Sequence, residues 1–180
     1  MTYKIEQLDF SICSHEYFEF IKNNDLDPFY RIAKTYTSVG FSDSLFYSYN
    51  GIEMYNSLTE TNFKSFLDAE KVSKVFNNDH HSGIPFYRKN LLDLFHVKYL
   101  LSKSEVSSES GFKLLSKIKN IYIYLNLNYK SDFGKFYSKY MDSASYAKLR
   151  TRWKDSILLE AVILKKDLIS KVASKYNMSP

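Results

Sequence analysis

Asp79-His80-His81 is the first group that could do chemistry. Two histidines beside a carboxylate are metal-ligand types, but a zinc site needs three or four ligands in fixed geometry, and adjacent histidines seldom reach one ion. His15 and His96 stand far away in the sequence, so the segment reads as a polar loop and no metal is expected. Glu105 and Glu109 lie in a Ser-rich stretch, where carboxylates are solvated rather than held in a cleft for acid-base work. The chain has neither a His-Glu-x-x-His motif nor a Gly-rich phosphate loop nor a Gly-x-Ser-x-Gly elbow. No catalytic residue and no cofactor is therefore expected. Tyr30-Arg31 and Tyr87-Arg88 repeat an aromatic-basic pair, in which Arg could hold a phosphate beside a stacking ring. Alternation along a strand accounts for Tyr30-Arg31 equally well.

The composition sets outer limits. A chain of 180 residues can bury one good core. A hydrophobic share of 44% argues for a folded domain rather than disorder. The 16 Tyr and 14 Phe fit a core rich in rings, with a sugar-stacking surface as the sharper alternative. The net charge of +5 suits an anionic partner. Lys117, Lys119, Lys130, Lys135 and Lys139 are spread singly, as solvent-facing residues are. No RNP-type octamer or GXXG loop is present, so nucleic acid is not expected. Cys13 is the only cysteine, which rules out an intrachain disulfide and a thiolate metal site. The longest apolar run, Leu158–Leu164, is broken by Glu160 and is too short to cross a bilayer of ~30 Å. Met1 to Glu6 does not read as a signal peptide.

Periodicity predicts the elements that must position these residues. Strands are expected at Tyr3–Ser11, Phe29–Tyr36, Val97–Ser102, Phe112–Lys117, Ile118–Leu125 and Phe133–Met141. In Ile118–Leu125, Tyr122 and Tyr124 should face one side and Ile121, Ile123 and Leu125 the other. Ser14 should cap a helix through Ile21, Thr59 or Thr61 one bearing Phe63, Phe66 and Leu67, and Asn90 one through Phe95. Asp142 or Ser143 should cap a helix with Tyr146. Thr151–Leu164 has an amphipathic stripe of Trp153, Ile157, Ala161 and Leu164, and Leu168 to Tyr176 has another. Asn50-Gly51 is a turn that could close a hairpin or a loop, and Lys103–Gly111 reads as a mobile connection. The sum is a single α+β domain over residues 1–180, with a mostly antiparallel sheet from Phe29, Val97, Phe112 and Ile118. Helices from Thr61, Asn90 and Thr151 should pack on it.

Motifs in a fixed order add to this reading. Phe29-Tyr-Arg31 opens a strand, and Asn50-Gly-Ile-Glu-Met-Tyr-Asn-Ser57 follows. Leu91 to Leu101 runs through Val97-Lys-Tyr99, Tyr124-Leu-Asn126 comes next, and Leu158–Leu164 comes last. This order resembles the YfhO family of bacterial membrane proteins from about Asp27 to Asp167. Leu125 stands where that family usually has Glu, and Lys130 to Gly134 where it tends to have Leu-Pro. The resemblance implies a many-spanning parent similar to GT-C glycosyltransferases, which pass sugar from a polyprenyl-phosphate carrier to an envelope polymer such as teichoic acid. The chain would be its soluble domain on the extracytoplasmic face, a fragment not catalytic alone. Its partners would be the membrane-spanning part of the same protein, the carrier-linked sugar and the anionic polymer. The implied ligand contacts are Tyr30, Arg31, Tyr55 and Asn126. The alternative function is a stand-alone binding module for an anionic polymer or a protein, with no enzymatic role; the alternative to the ligand contacts is structural, with Arg31 paired to a neighbouring carboxylate and both tyrosines filling the core.

Overall fold

The computed structural model describes residues 16–36, 43–55, 61–73, 81–131 and 134–180; for Met54, Tyr55 and His81 only the backbone is described. Helix α1 (Glu16–Asn24) carries Glu16 and Glu19 in its first turn and Lys22 in its last, matching the helix dipole. It is followed by strand β1 (Arg31–Lys34) and helix α2 (Asp43–Tyr47). Then come β2 (Met54–Tyr55), α3 (Thr61–Ala69), β3 (His81–Ser82), α4 (Lys89–Leu94) and β4 (Val97–Ser102). The hairpin β5 (Phe112–Ile118) and β6 (Ile121–Asn126) precedes β7 (Lys139–Asp142), α5 (Ser143–Lys148), α6 (Thr151–Ile157), β8 (Ala161–Leu164) and α7 (Lys166–Lys175).

The main sheet has strand order β1-β4-β6-β5. β1 runs parallel to β4, while β4–β6 and β6–β5 are antiparallel, so the fold is α+β with a mixed, mostly antiparallel sheet. Its two faces carry different cores, as the alternation of side chains requires. On one face Ile32, Tyr99, Leu101, Ile121 and Ile123 pack against Tyr17, Phe18 and Ile21 of α1. On the other, Ala33, Leu100, Phe112 and Tyr124 pack against Leu67 of α3 and Leu91 and Leu92 of α4. The facing expected for Ile121–Leu125 holds. Asp142 caps α5 by accepting from the Ala144 and Ser145 amides at 3.0 and 2.9 Å.

Several expectations are corrected. The stretch Thr151–Leu164 is not one helix: α6 stops at Ile157, and Ala161–Leu164 pairs in parallel with β7. Val162 and Ile163 are β-branched and stiff at χ1, which favours the strand. Trp153, expected on an apolar face, is 53% exposed. Nor does α6 lie on the sheet; it docks on α4, where Asn90 Nδ2 donates to Ser156 Oγ at 3.2 Å. Asn90 is inside α4 and the N-cap is Arg88. Helix α1, not α6, covers the second face. Of the strand expected at Phe133–Met141, Phe133 lies outside the described residues and only Lys139–Met141 is strand, as part of β7. His81–Ser82 is a short strand paired with β2 rather than loop. Asn50-Gly51 closes no hairpin; Gly51 bridges in parallel to Ile32, whose N–H donates to Asn50 O at 2.8 Å. Lys103–Gly111 holds a 3-10 turn at Ser108–Ser110, and Val106 N–H bonds Tyr124 Oη at 2.9 Å. The strand expected at Tyr3–Ser11 and the cap at Ser14 lie outside the described residues.

Candidate functional site

The β1 and β4 strands both begin at one end of the sheet, and there the chain leaving α1 makes a double Asx turn. Asp25 Oδ1 accepts from Asp27 N–H at 3.1 Å, and Asp27 Oδ1 from Phe29 N–H at 2.9 Å. These short local bonds aim both carboxylates back over the sheet. Asp25 accepts from Lys98 Nζ at 2.8 Å and from Tyr99 Oη at 2.8 Å. Asp27 accepts a short hydrogen bond from Tyr129 Oη. Lys98 Nζ then lies 5.8 Å from the Tyr30 ring centre, 5.8 Å from that of Tyr99 and 4.9 Å from that of Tyr129. Tyr30 meets Tyr99 edge-on at 5.2 Å, and Asn50 Nδ2 donates to Tyr30 O at 3.3 Å. One ammonium is thus enclosed by two carboxylates and three rings, each favourable to it.

Above this floor lies a cleft of about 240 Å³, lined among others by Lys22, Asp25, Asp27, Tyr30, Tyr49 and Asn50. It is smaller than the ~300–1,000 Å³ of ordinary ligand pockets, so it suits one small polar unit of a longer molecule. The Tyr129 hydrogen bond, above all, holds the Asp27 carboxyl below the usual carboxylate range. A carboxylate so easily ionised is a poor general acid. Burial raises the phenols of Tyr30, Tyr99 and Tyr129, so they stay neutral donors at pH 7. The Tyr99 and Tyr129 hydroxyls are turned onto Asp25 and Asp27, so what the cleft itself presents is the Tyr30 ring and phenol, the Lys22 ammonium and two carboxylates already held by hydrogen bonds, which is binding rather than proton-transfer chemistry. No group of His, Cys, Asp and Glu among the described residues could hold a metal ion.

Of the residues singled out from sequence, Tyr30 lines this cleft and Arg31 follows it on β1. Arg31 is exposed and its Nη1 donates to Phe95 O at 3.0 Å, a backbone carbonyl rather than the carboxylate of the alternative reading. Tyr55 stands in β2, opposite His81, outside the main sheet. Asn126 closes β6 at the same sheet end as Tyr30 but is 2% exposed. Its amide donates to Asp93 Oδ1 and Val97 O, both at 2.7 Å, and its oxygen accepts from Lys89 Nζ at 2.6 Å and Asn128 N–H at 2.9 Å. Asn126→Ala should therefore destabilise the fold by about 1–3 kcal/mol, because it strands buried partners. Urea unfolding checks this, and an unchanged midpoint would contradict it. Sequence reasoning missed Asp25, Asp27, Lys98, Tyr99 and Tyr129. The Asp-x-Asp-Pro pattern was legible as a turn, but the partners come from β4 and the segment after β6.

The sequence model of a family described as bacterial membrane protein YfhO matches residues 12–179. No curated protein and no solved structure matches the chain. No helix of the described residues is long and apolar enough to cross a membrane.

Proposed function

The chain belongs to the YfhO family of bacterial membrane proteins, and from that premise we propose that it is the outer domain of a YfhO-like protein, presenting an envelope polymer to a membrane-embedded sugar transferase. The donor would be a sugar on a polyprenyl-phosphate carrier, and the acceptor a hydroxylated, anionic polymer of teichoic type. Transfer itself would belong to the membrane-spanning part, and the domain would sit on the extracytoplasmic face. The observation that carries this reading is the cleft at Asp25, Asp27 and Tyr30, where carboxylates fixed by the hydroxyls of Tyr99 and Tyr129 stand beside the Tyr30 ring around a space for one polyol or sugar unit. Arg31, the residue after Tyr30, keeps donors for an anion: one of its five is spent on Phe95 O, and among the described residues its side chain has no other partner.

The test is calorimetric titration of the 180-residue chain with a short polyol-phosphate oligomer. The native chain should bind, Tyr30→Ala should abolish detectable binding, and Arg31→Ala should weaken it about fivefold, the value of one solvent-screened charged hydrogen bond. Equal binding by all three chains, or none by the native chain, would refute the assignment.

A further inference from the structure

A second cleft of about 250 Å³ lies beyond the wall formed by His96 and Tyr129, and its chemistry is opposite to that of the first. It is lined by Asp93, Leu94, His96, Asn128, Lys130, Gly134, Lys135 and Leu159. Its one carboxylate among the described residues is already answered: Asp93 is paired with Lys89 at 2.5 Å and accepts from Asn126 at 2.7 Å and Asn128 at 3.0 Å. Among the described residues no acid answers its lysines. Lys135 Nζ donates a short hydrogen bond to Leu159 O and lies 5.3 Å from the Tyr137 ring centre, both neutral groups. Lys130 is exposed and makes no hydrogen bond or ion pair with any described residue. The described residues of the cleft thus carry surplus positive charge in a concave, partly enclosed space, where charge is less screened than on an open surface.

His96 makes this arrangement more than a pair of surface lysines. It occupies the position after the C-cap of α4 with φ +57°, and its N–H donates to Asp93 O at 3.2 Å to end the helix. That left-handed site usually falls to glycine, and a side chain there costs backbone energy. His96 instead places an imidazole on the wall of the cleft, its ring edge-on to Tyr129 at 6.5 Å.

We infer that this cleft is a phosphate subsite, in which Lys130, Lys135, Asn128 and His96 hold one phosphodiester or phosphomonoester group. Ammonium and amide donors converge on the space while the carboxylate is occupied elsewhere, which fits an acceptor-rich anion. The wall between the clefts is a single chain of contacts, His96 to Tyr129 to Asp27. A ligand with a hydroxylated unit beside a phosphate could occupy both at once. The subsite stands on its own geometry; only the source of the phosphate, polymer or lipid headgroup, rests on the function proposed above.

The experiment follows backbone amide signals of the 180-residue chain during titration with a polyol-phosphate oligomer, with inorganic phosphate, and with phosphatidylglycerol–phosphatidylcholine vesicles, beside Lys130→Gln/Lys135→Gln and His96→Gly. The oligomer and inorganic phosphate should both shift His96, Asn128 and Lys130. The double lysine variant should weaken them more than about tenfold, the loss of two solvent-screened charged contacts. His96→Gly should weaken binding while keeping or raising the melting temperature, since the left-handed backbone is relieved. Shifts from vesicles alone would keep the subsite and assign the phosphate to a lipid headgroup. Shifts confined to Asp25–Tyr30 would overturn the subsite and leave the first cleft standing. Shifts at His96 and Lys130 with none at Asp25–Tyr30 would do the reverse. Unchanged affinity in both variants would overturn it outright.

Discussion

Arg88→Ala should cost about 3–5 kcal/mol, the loss expected when one member of a buried ion pair is removed. Arg88 is 9% exposed and lies among Glu70, Lys154 and Asp155, which are 1%, 4% and 7% exposed. Its Nε donates to Asp155 Oδ2 at 2.8 Å, its Nη2 makes a short bond to Asp155 Oδ1, and its Nη1 donates to Glu70 O at 2.9 Å. Lys154 Nζ donates to Ala69 O at 2.9 Å, and Tyr146 Oη makes a short bond to Glu70 Oε1. Two cations and two anions balance here, and they tie the end of α3, the start of α4 and the last turn of α6 together. Removing Arg88 alone leaves Asp155 charged in the interior. The double change Arg88→Met with Asp155→Leu keeps the remaining pair neutral and should cost less than the single one. Urea unfolding of the three chains decides it: a single-variant loss under about 1 kcal/mol, or a double variant weaker than the single, would sink the account.

Glu53→Gln should stabilise the chain at pH 8 by about 3 kcal/mol and have little effect near pH 4.5. Burial pushes the Glu53 carboxyl up to about 7, with Lys34 opposing and Asp43 adding to the rise. Lys34 is itself held by a short ion pair to Asp43, which also accepts from Tyr49 Oη at 2.6 Å, so little of its charge is left for Glu53. A folded pKa raised above the unfolded one gives stability that is complete below about 4.5 and is lost as pH rises through about 7. Burial raises Glu70 as well, so a fall of the same sign remains in the variant. Asp27 and Asp142 act oppositely: their carboxyls are lowered, and their contribution is lost in acid. Melting temperatures of both chains from pH 4 to 8 test the idea, and parallel profiles would show that Glu53 is solvated.

What the sequence alone determined is what depends on near neighbours. The hairpin β5–β6 was legible because side chains alternate along a strand, and Ile121, Ile123 and Tyr124 sort to opposite cores as that period demands. Asp142 was legible as a cap because the amides it accepts from lie two and three residues on. Tyr30-Arg31 was marked by its motif, and the cleft beside it was not. Tertiary structure alone decided the rest. Ala161–Leu164 continues a helical stripe in sequence, yet becomes a strand because β7 offers hydrogen bonds to its backbone. Arg88 and Asp155 are 67 residues apart, and Lys98 meets Asp25 across 73. No local pattern encodes such pairs; they form because the sheet and its two helical layers bring distant charges into a space where water no longer screens them.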